Sequence, residues 1–258
     1  MAQAEQYGTL SFGFGSADIT DNGSPEGTGT GIALQGFVGF QADNGMRYEL
    51  DYGVRSESGD GGYDGLFSSR MIALRAARAF GAIEAEGIIG QVFEEAGDGT
   101  ATRQFALVGG TYDVSPQIYV QGALGYLSPD ENGSDGNDAV RDLTTFSISG
   151  GYDISDRLNV ELGYTYGEGI MDGDDDPATI QSASLGVRYD LNIDGMSVYG
   201  RYIAGDYYQG GEDDTAIEQR IELGVTMAFG GDGAARNARR IDIPRYDDWM
   251  AVTGSVIE

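Results

Sequence analysis

From Tyr7 to Phe229, segments of about ten residues alternate apolar side chains with polar or small ones, and the unit recurs about twelve times. Because successive side chains of a strand point to opposite faces, this alternation predicts β-strands. They fall near 6–15, 30–43, 46–57, 69–80, 82–94, 102–113, 117–128, 143–153, 157–168, 178–190, 195–206 and 215–229. The clearest is 46–57, where Met46, Tyr48, Leu50, Tyr52 and Val54 share one face and Arg47, Glu49, Asp51, Arg55 and Glu57 share the other. The same one-faced apolar pattern holds for Leu10, Phe12 and Phe14, for Ile32, Leu34, Val38 and Phe40, for Leu158 to Tyr166, and for Ile217 to Phe229. Such strands suit a wall with lipid on one side and a polar lumen on the other, so the predicted fold is all-β, an antiparallel transmembrane β-barrel of about twelve strands.

Connector lengths sharpen this. Short turns with Gly, Pro, Asn or Asp chemistry fall at 43–45, at Gly81, at 113–116, at 153–156 and at 190–194. Between them lie longer acidic, Gly-rich stretches near 16–29, 58–68, 95–101, 129–142, 169–177 and 207–214. Outer-membrane barrels have short periplasmic turns and long outer loops, which places both barrel ends in the periplasm. Residues 1–229 then form the barrel and 230–258 a C-terminal tail. Tyr7, Tyr126, Tyr152, Tyr189, Tyr207 and Tyr208 stand at strand ends, where an aromatic girdle is expected.

No run approaches the roughly 18 apolar residues of a spanning helix, and mean hydropathy is −0.28. A barrel escapes that requirement, since only every second strand residue must be apolar. The 43 Gly and 5 Pro suit turns and ladders. With 42 acids against 15 basic residues the formal charge is −27, which excludes nucleic acid as a partner and expects a negative outer rim that attracts cations. Cysteine is absent. The stretch Met1 to Glu5 has no apolar signal core, so the signal peptide is expected to be missing from this sequence; Ala2-Gln3-Ala4 resembles the end of a small-residue cleavage site, with Met1 added or retained.

Three segments resemble a known family. Arg75-Ala-Ala-Arg-Ala-Phe-Gly-Ala-Ile-Glu84 is similar to the strand-turn-strand signature of Gram-negative porins. Tyr152-Asp-Ile-Ser-Asp-Arg-Leu158 and Leu185-Gly-Val-Arg-Tyr-Asp-Leu191 look like their periplasmic hairpins. The resemblance covers most of 6–229 and implies an outer-membrane location, contact with lipid and lipopolysaccharide, and passage of small hydrophilic solutes. It leaves the oligomeric state open. The chain departs from the family in two ways: general porins have about sixteen strands, and they end on the aromatic residue of the last strand, whereas 29 residues follow Phe229.

The candidate chemistry lies in the lumen. Arg47, Glu49, Asp51, Arg55, Arg75, Arg78, Glu84, Glu86, Glu161, Arg188, Arg201, Arg220 and Glu222 are the expected pore-lining charges, with Arg75 or Arg78 set by register. They fit either a conducting pore whose ladders set a transverse field or a barrel closed by ion pairs. The enzymes of this architecture use His, and the chain has none. Glu84 with Glu86, or Glu218 with Glu222, could form a carboxylate dyad, but charges of a barrel wall are the simpler account. The expectation is a passive, cation-biased channel, with a non-conducting structural or adhesive barrel as the alternative. No cofactor is expected beyond weak Ca²⁺ at the outer loops, where Asp130, Asp135, Asp138, Asp172, Asp174 and Asp176 offer oxygen ligands without EF-hand spacing. The tail concentrates Arg236, Arg239, Arg240 and Arg245. It could be disordered, could turn back into the acidic lumen as a plug or dock a partner, or could add a hairpin over 241–257 to make fourteen strands, against which Pro244 argues.

Overall fold

A computed structural model describes residues 6–21, 24–61, 65–96, 99–128, 140–171, 177–209, 215–230 and 240–243. Twelve strands follow in chain order: β1 (Gln6–Asp21), β2 (Ser24–Gln41), β3 (Met46–Gly61), β4 (Gly65–Phe80), β5 (Ile83–Ala96), β6 (Gly99–Ser115), β7 (Ile118–Leu127), β8 (Val140–Ser155), β9 (Leu158–Met171), β10 (Pro177–Asp190), β11 (Met196–Gln209) and β12 (Thr215–Phe229). Each pairs antiparallel with its chain neighbours, and β1 closes on β12 from Gly8 opposite Phe229 to Asp21 opposite Ala216. Closure satisfies every ladder and leaves no edge in lipid. It also removes the fourteen-strand option, because no free edge remains to accept another hairpin.

The ladders run further than the apolar alternation does. β1 and β2 stay paired out to Asp21 and Ser24, well inside the stretch expected to be loop at 16–29. A 16-residue strand is about 53 Å long at 3.3 Å per residue, whereas the lipid-facing band is only about 25 Å tall. Beyond lipid the outer face no longer has to be apolar, so pairing continues after the sequence signal has faded.

The outside is apolar and the inside polar, the reverse of a water-soluble core. Leu74, Val108, Leu162 and Leu223 on the outer face are each about 60% exposed, while Glu49, Asp51, Arg55, Glu86 and Arg220 are buried inside. The register of 46–57 follows the expected faces throughout, with Tyr48, Leu50 and Val54 outward. Two strand-end assignments change. Tyr7 does not belong to the girdle: it shares the odd-numbered lumenal phase of β1, is buried, and donates from its hydroxyl to Glu49 Oε1 at 2.7 Å. Tyr126, Tyr152, Tyr189 and Tyr208 do face outward, and the side chain of Tyr207 lies outside the described residues.

At the short-turn end Gly45, Gly81 and Gly195 hold positive φ of 78°, 67° and 72°, the left-handed region that a side chain disfavours. The turns β6–β7 and β8–β9 use one device twice. A register shift before Ser115 and before Ser155 precedes a serine whose Oγ accepts from the backbone N–H groups two and three residues on.

Candidate functional site: the charged lumen

Alternation on β3, β4 and β5 brings Glu49, Asp51, Arg75 and Glu86 to one patch of inner wall, because Glu49 is opposite Arg75 in register and Arg75 opposite Ile88, two residues from Glu86. Arg75 is the hub. Its Nε lies 3.3 Å from Asp51 and 3.6 Å from Glu49, and it also pairs with Glu86. All four side chains are between 0 and 7% exposed. Nearer the turns Arg47 pairs with Glu84. Around β3 and β12, Arg55 meets Glu57 at 3.1 Å, and Arg220 joins Glu57 to Glu218, the latter at 2.7 Å.

Half the circumference away, on β9 to β11, the arrangement loosens. Glu161 accepts from the Tyr119 hydroxyl at 2.9 Å and lies 4.0 Å from Arg201; Arg188 lies 3.4 Å from Asp190; Glu222 on β12 accepts from the Tyr199 hydroxyl at 3.0 Å. Here the side chains of Arg201 and Glu161 keep 32% and 21% of their surface. Between the two walls lies a cavity of ≈ 270 Å³ bordered by Asp51, Arg55, Arg75, Glu161, Arg188, Arg201 and Glu222. A second of ≈ 720 Å³ opens at the short-turn end, where Glu84, Asp113, Asp153, Asp156 and Asp190 face Arg47, Arg157 and Arg188.

Of the thirteen charges expected in the lumen, the structure turns twelve inward. Arg78 is the correction: three residues from Arg75, it takes the opposite phase of β4 and stands on the outer face, its guanidinium 5.3 Å from the centre of the Phe80 ring near the turn end. That position lets a long cationic side chain reach the interface. Neither acid pair forms a dyad, since Glu84 and Glu86 go to separate arginines, Glu218 to Arg220 and Glu222 to Tyr199. Asp130, Asp135, Asp138, Asp172, Asp174 and Asp176 lie outside the described residues, and among those described no group of three or more candidate metal ligands occurs.

Two features escape sequence reasoning. Glu94 and Arg103 form a further lumenal pair at 3.9 Å on β5 and β6. An apolar layer fills part of the lumen, with Ile19, Ile88, Val92, Phe105, Leu107, Leu127, Leu143 and Ile180 all buried. Its signal is the loss of alternation in Ile88-Ile89 and Phe105-Ala106-Leu107-Val108, where both faces are apolar. Residues 240–243 lie within the barrel, as the plug alternative expects of the basic tail. Arg240 meets Glu49 at 2.8 Å and Asp51, with its guanidinium 3.6 Å from the centre of the Phe37 ring. The Ile241 carbonyl accepts from Arg75 at 3.0 Å, Asp242 meets Arg201 at 2.9 Å, and Ile243 packs on the apolar layer.

The family of OmpA-like transmembrane domains matches residues 106–231, from within β6 to just past β12. Among solved structures, the NanC porin aligns with a TM-score of 0.52 at 14% identity, over 83% of this chain and 98% of that one. The CymD monoaromatic hydrocarbon channel aligns with a TM-score of 0.53 at 10% identity, over 89% and 90%. A FadL homologue of Pseudomonas aeruginosa aligns with a TM-score of 0.52 at 10% identity, over 86% and 90%. No curated protein matches the sequence. At such identities the likeness is one of fold: a closed, inside-out barrel of twelve antiparallel strands, similar in architecture to the barrels of outer-membrane porins and channels.

Proposed function

We propose that this barrel is a passive, cation-biased channel for small hydrophilic solutes across the bacterial outer membrane, with its short turns in the periplasm. The observation that carries the reading is the charge-lined lumen: the ≈ 720 Å³ vestibule sets five acids against three arginines. Fixed acidic excess in a narrow, low-dielectric passage raises the local concentration of cations and lowers that of anions. Glu49, Asp51, Glu57, Glu84, Glu86, Glu161 and Glu222 meet arginine or tyrosine rather than one another, so the wall's role in this reading is to supply a field. Movement follows the solute gradient.

A second reading, a non-conducting structural barrel acting through its acidic loops, is favoured by one observation: the buried apolar layer, which narrows the passage and offers ions no partner. Planar-bilayer recording separates the two. Discrete steps with a reversal potential toward the cation value in a KCl gradient are expected. Silence of the full chain and of a 230–258 deletion would exclude the channel, and anion preference would exclude its cation bias.

A further inference from the structure

The two lumenal walls differ in net charge as well as in packing. On β3 to β5 the acids Glu49, Asp51, Glu57, Glu84, Glu86 and Glu94 outnumber Arg47, Arg55 and Arg75, whereas on β9 to β11 Arg188 and Arg201 balance Glu161 and Asp190. A transverse field therefore crosses the cavity. Residues 240–243 are aligned with it: the cation of Arg240 enters the acidic wall against Glu49 and Asp51 and stacks on Phe37, while the anion of Asp242, two residues on, meets Arg201. Both poles lie within one peptide unit of a carbonyl that Arg75 holds.

We infer that the lumen contains a two-pole binding site for a solute carrying a guanidinium at one end and a carboxylate at the other, and that residues 240–243 occupy it as a tethered competitor. The acidic pole offers two carboxylates and an aromatic face, the combination that suits a planar, weakly hydrated guanidinium better than a compact ammonium. The opposite pole offers a guanidinium, which recognises a carboxylate by paired N–H groups. A monovalent cation satisfies one pole only. A tethered ligand at high effective concentration keeps the site filled until it withdraws or is outcompeted. This inference rests on the channel reading for its transport meaning, but the site itself can be tested without conduction.

The test uses the full chain and its Arg240→Ala/Asp242→Ala variant, which alters the segment and no residue of the barrel wall. In planar bilayers the variant should conduct about twofold more than the parent or better, since both anchors of the obstruction are gone. L-Arginine should then block the variant's current at about tenfold lower concentration than agmatine, which has the guanidinium but no carboxylate, the difference expected for one charge-assisted pair. Adding Arg201→Ala should abolish that difference. Equal block by the two probes, or a conducting parent whose conductance the variant leaves unchanged, overturns the inference. Calorimetric titration of L-arginine into the detergent-solubilised variant reads the site independently: binding there without any conductance keeps the site and refutes the channel, whereas absence of binding refutes the site even if the variant conducts.

Discussion

The walls at β3–β5 and β9–β11 use the same residue types and differ in how much water reaches them. Around Arg75 the three acids and the guanidinium are almost wholly enclosed, while Arg201 and Glu161, 4.0 Å apart, keep 32% and 21% of their side-chain surface exposed. Enclosure fixes what a charge can do. A buried cation balanced against three acids cannot be removed without stranding them, so it holds the wall together. A half-exposed one is screened and replaceable, which frees it to act on solutes.

Arg75→Met breaks the comparison most directly. It leaves Glu49, Asp51 and Glu86 with Arg240 as their remaining cation, and should cost about 3–5 kcal/mol in urea unfolding from lipid bilayers. A loss as small as that of an exposed pair would show that the enclosed wall is wetter than its packing implies. The outer face supplies the next contrast. Leu223 stands at the middle of the lipid-facing run from Ile217 to Phe229, and Leu223→Arg should cost about 2–4 kcal/mol in the same assay. Insensitivity there would mean that this face does not meet hydrocarbon.

How far each region could be read from the chain follows the same divide. The β3 wall was legible because Arg47 to Glu57 alternates without interruption, and a strand with period two has only one way to place its charges when one face must be apolar. Arg78 was not, since the segment Arg75-Ala-Ala-Arg78 offers cations on both phases and alanines satisfy either environment. The apolar lumenal layer was hidden for the converse reason: Leu107 and Val108 are indistinguishable by type, and only pairing with β5 and β7 shows which faces in. Arg240 was visible as part of a basic stretch, but the choice among a plug, a disordered tail and an extra hairpin depends on contacts about 190 positions distant in the chain.

An intermediate case sharpens the contrast between the walls. Arg220 joins Glu57 and Glu218 in a buried cluster, yet Arg55 also reaches Glu57 at 3.1 Å. Arg220→Met should therefore cost less than Arg75→Met, about 1–3 kcal/mol, because it takes the cation from two acids rather than three and Glu57 keeps Arg55. If it costs as much, Arg55 contributes little and the cluster behaves as a single-hub site like that of Arg75.

The smallest stability effect belongs to Arg201→Ala, and there the comparison becomes functional. Its pair with Glu161 is long, and its shorter one, at 2.9 Å, is with the exposed Asp242, so unfolding should change by less than about 1 kcal/mol. Removing a positive charge from the open wall nevertheless leaves Glu161 and Asp242 to shape the local field, and cation preference in the bilayer should increase while anion permeation falls. An unfolding cost like that of Arg75→Met would make the open wall a second structural cluster. A reversal potential that stays put would mean that permeating ions do not pass beside Arg201, and the selectivity would then have to be set in the acidic vestibule at the short-turn end.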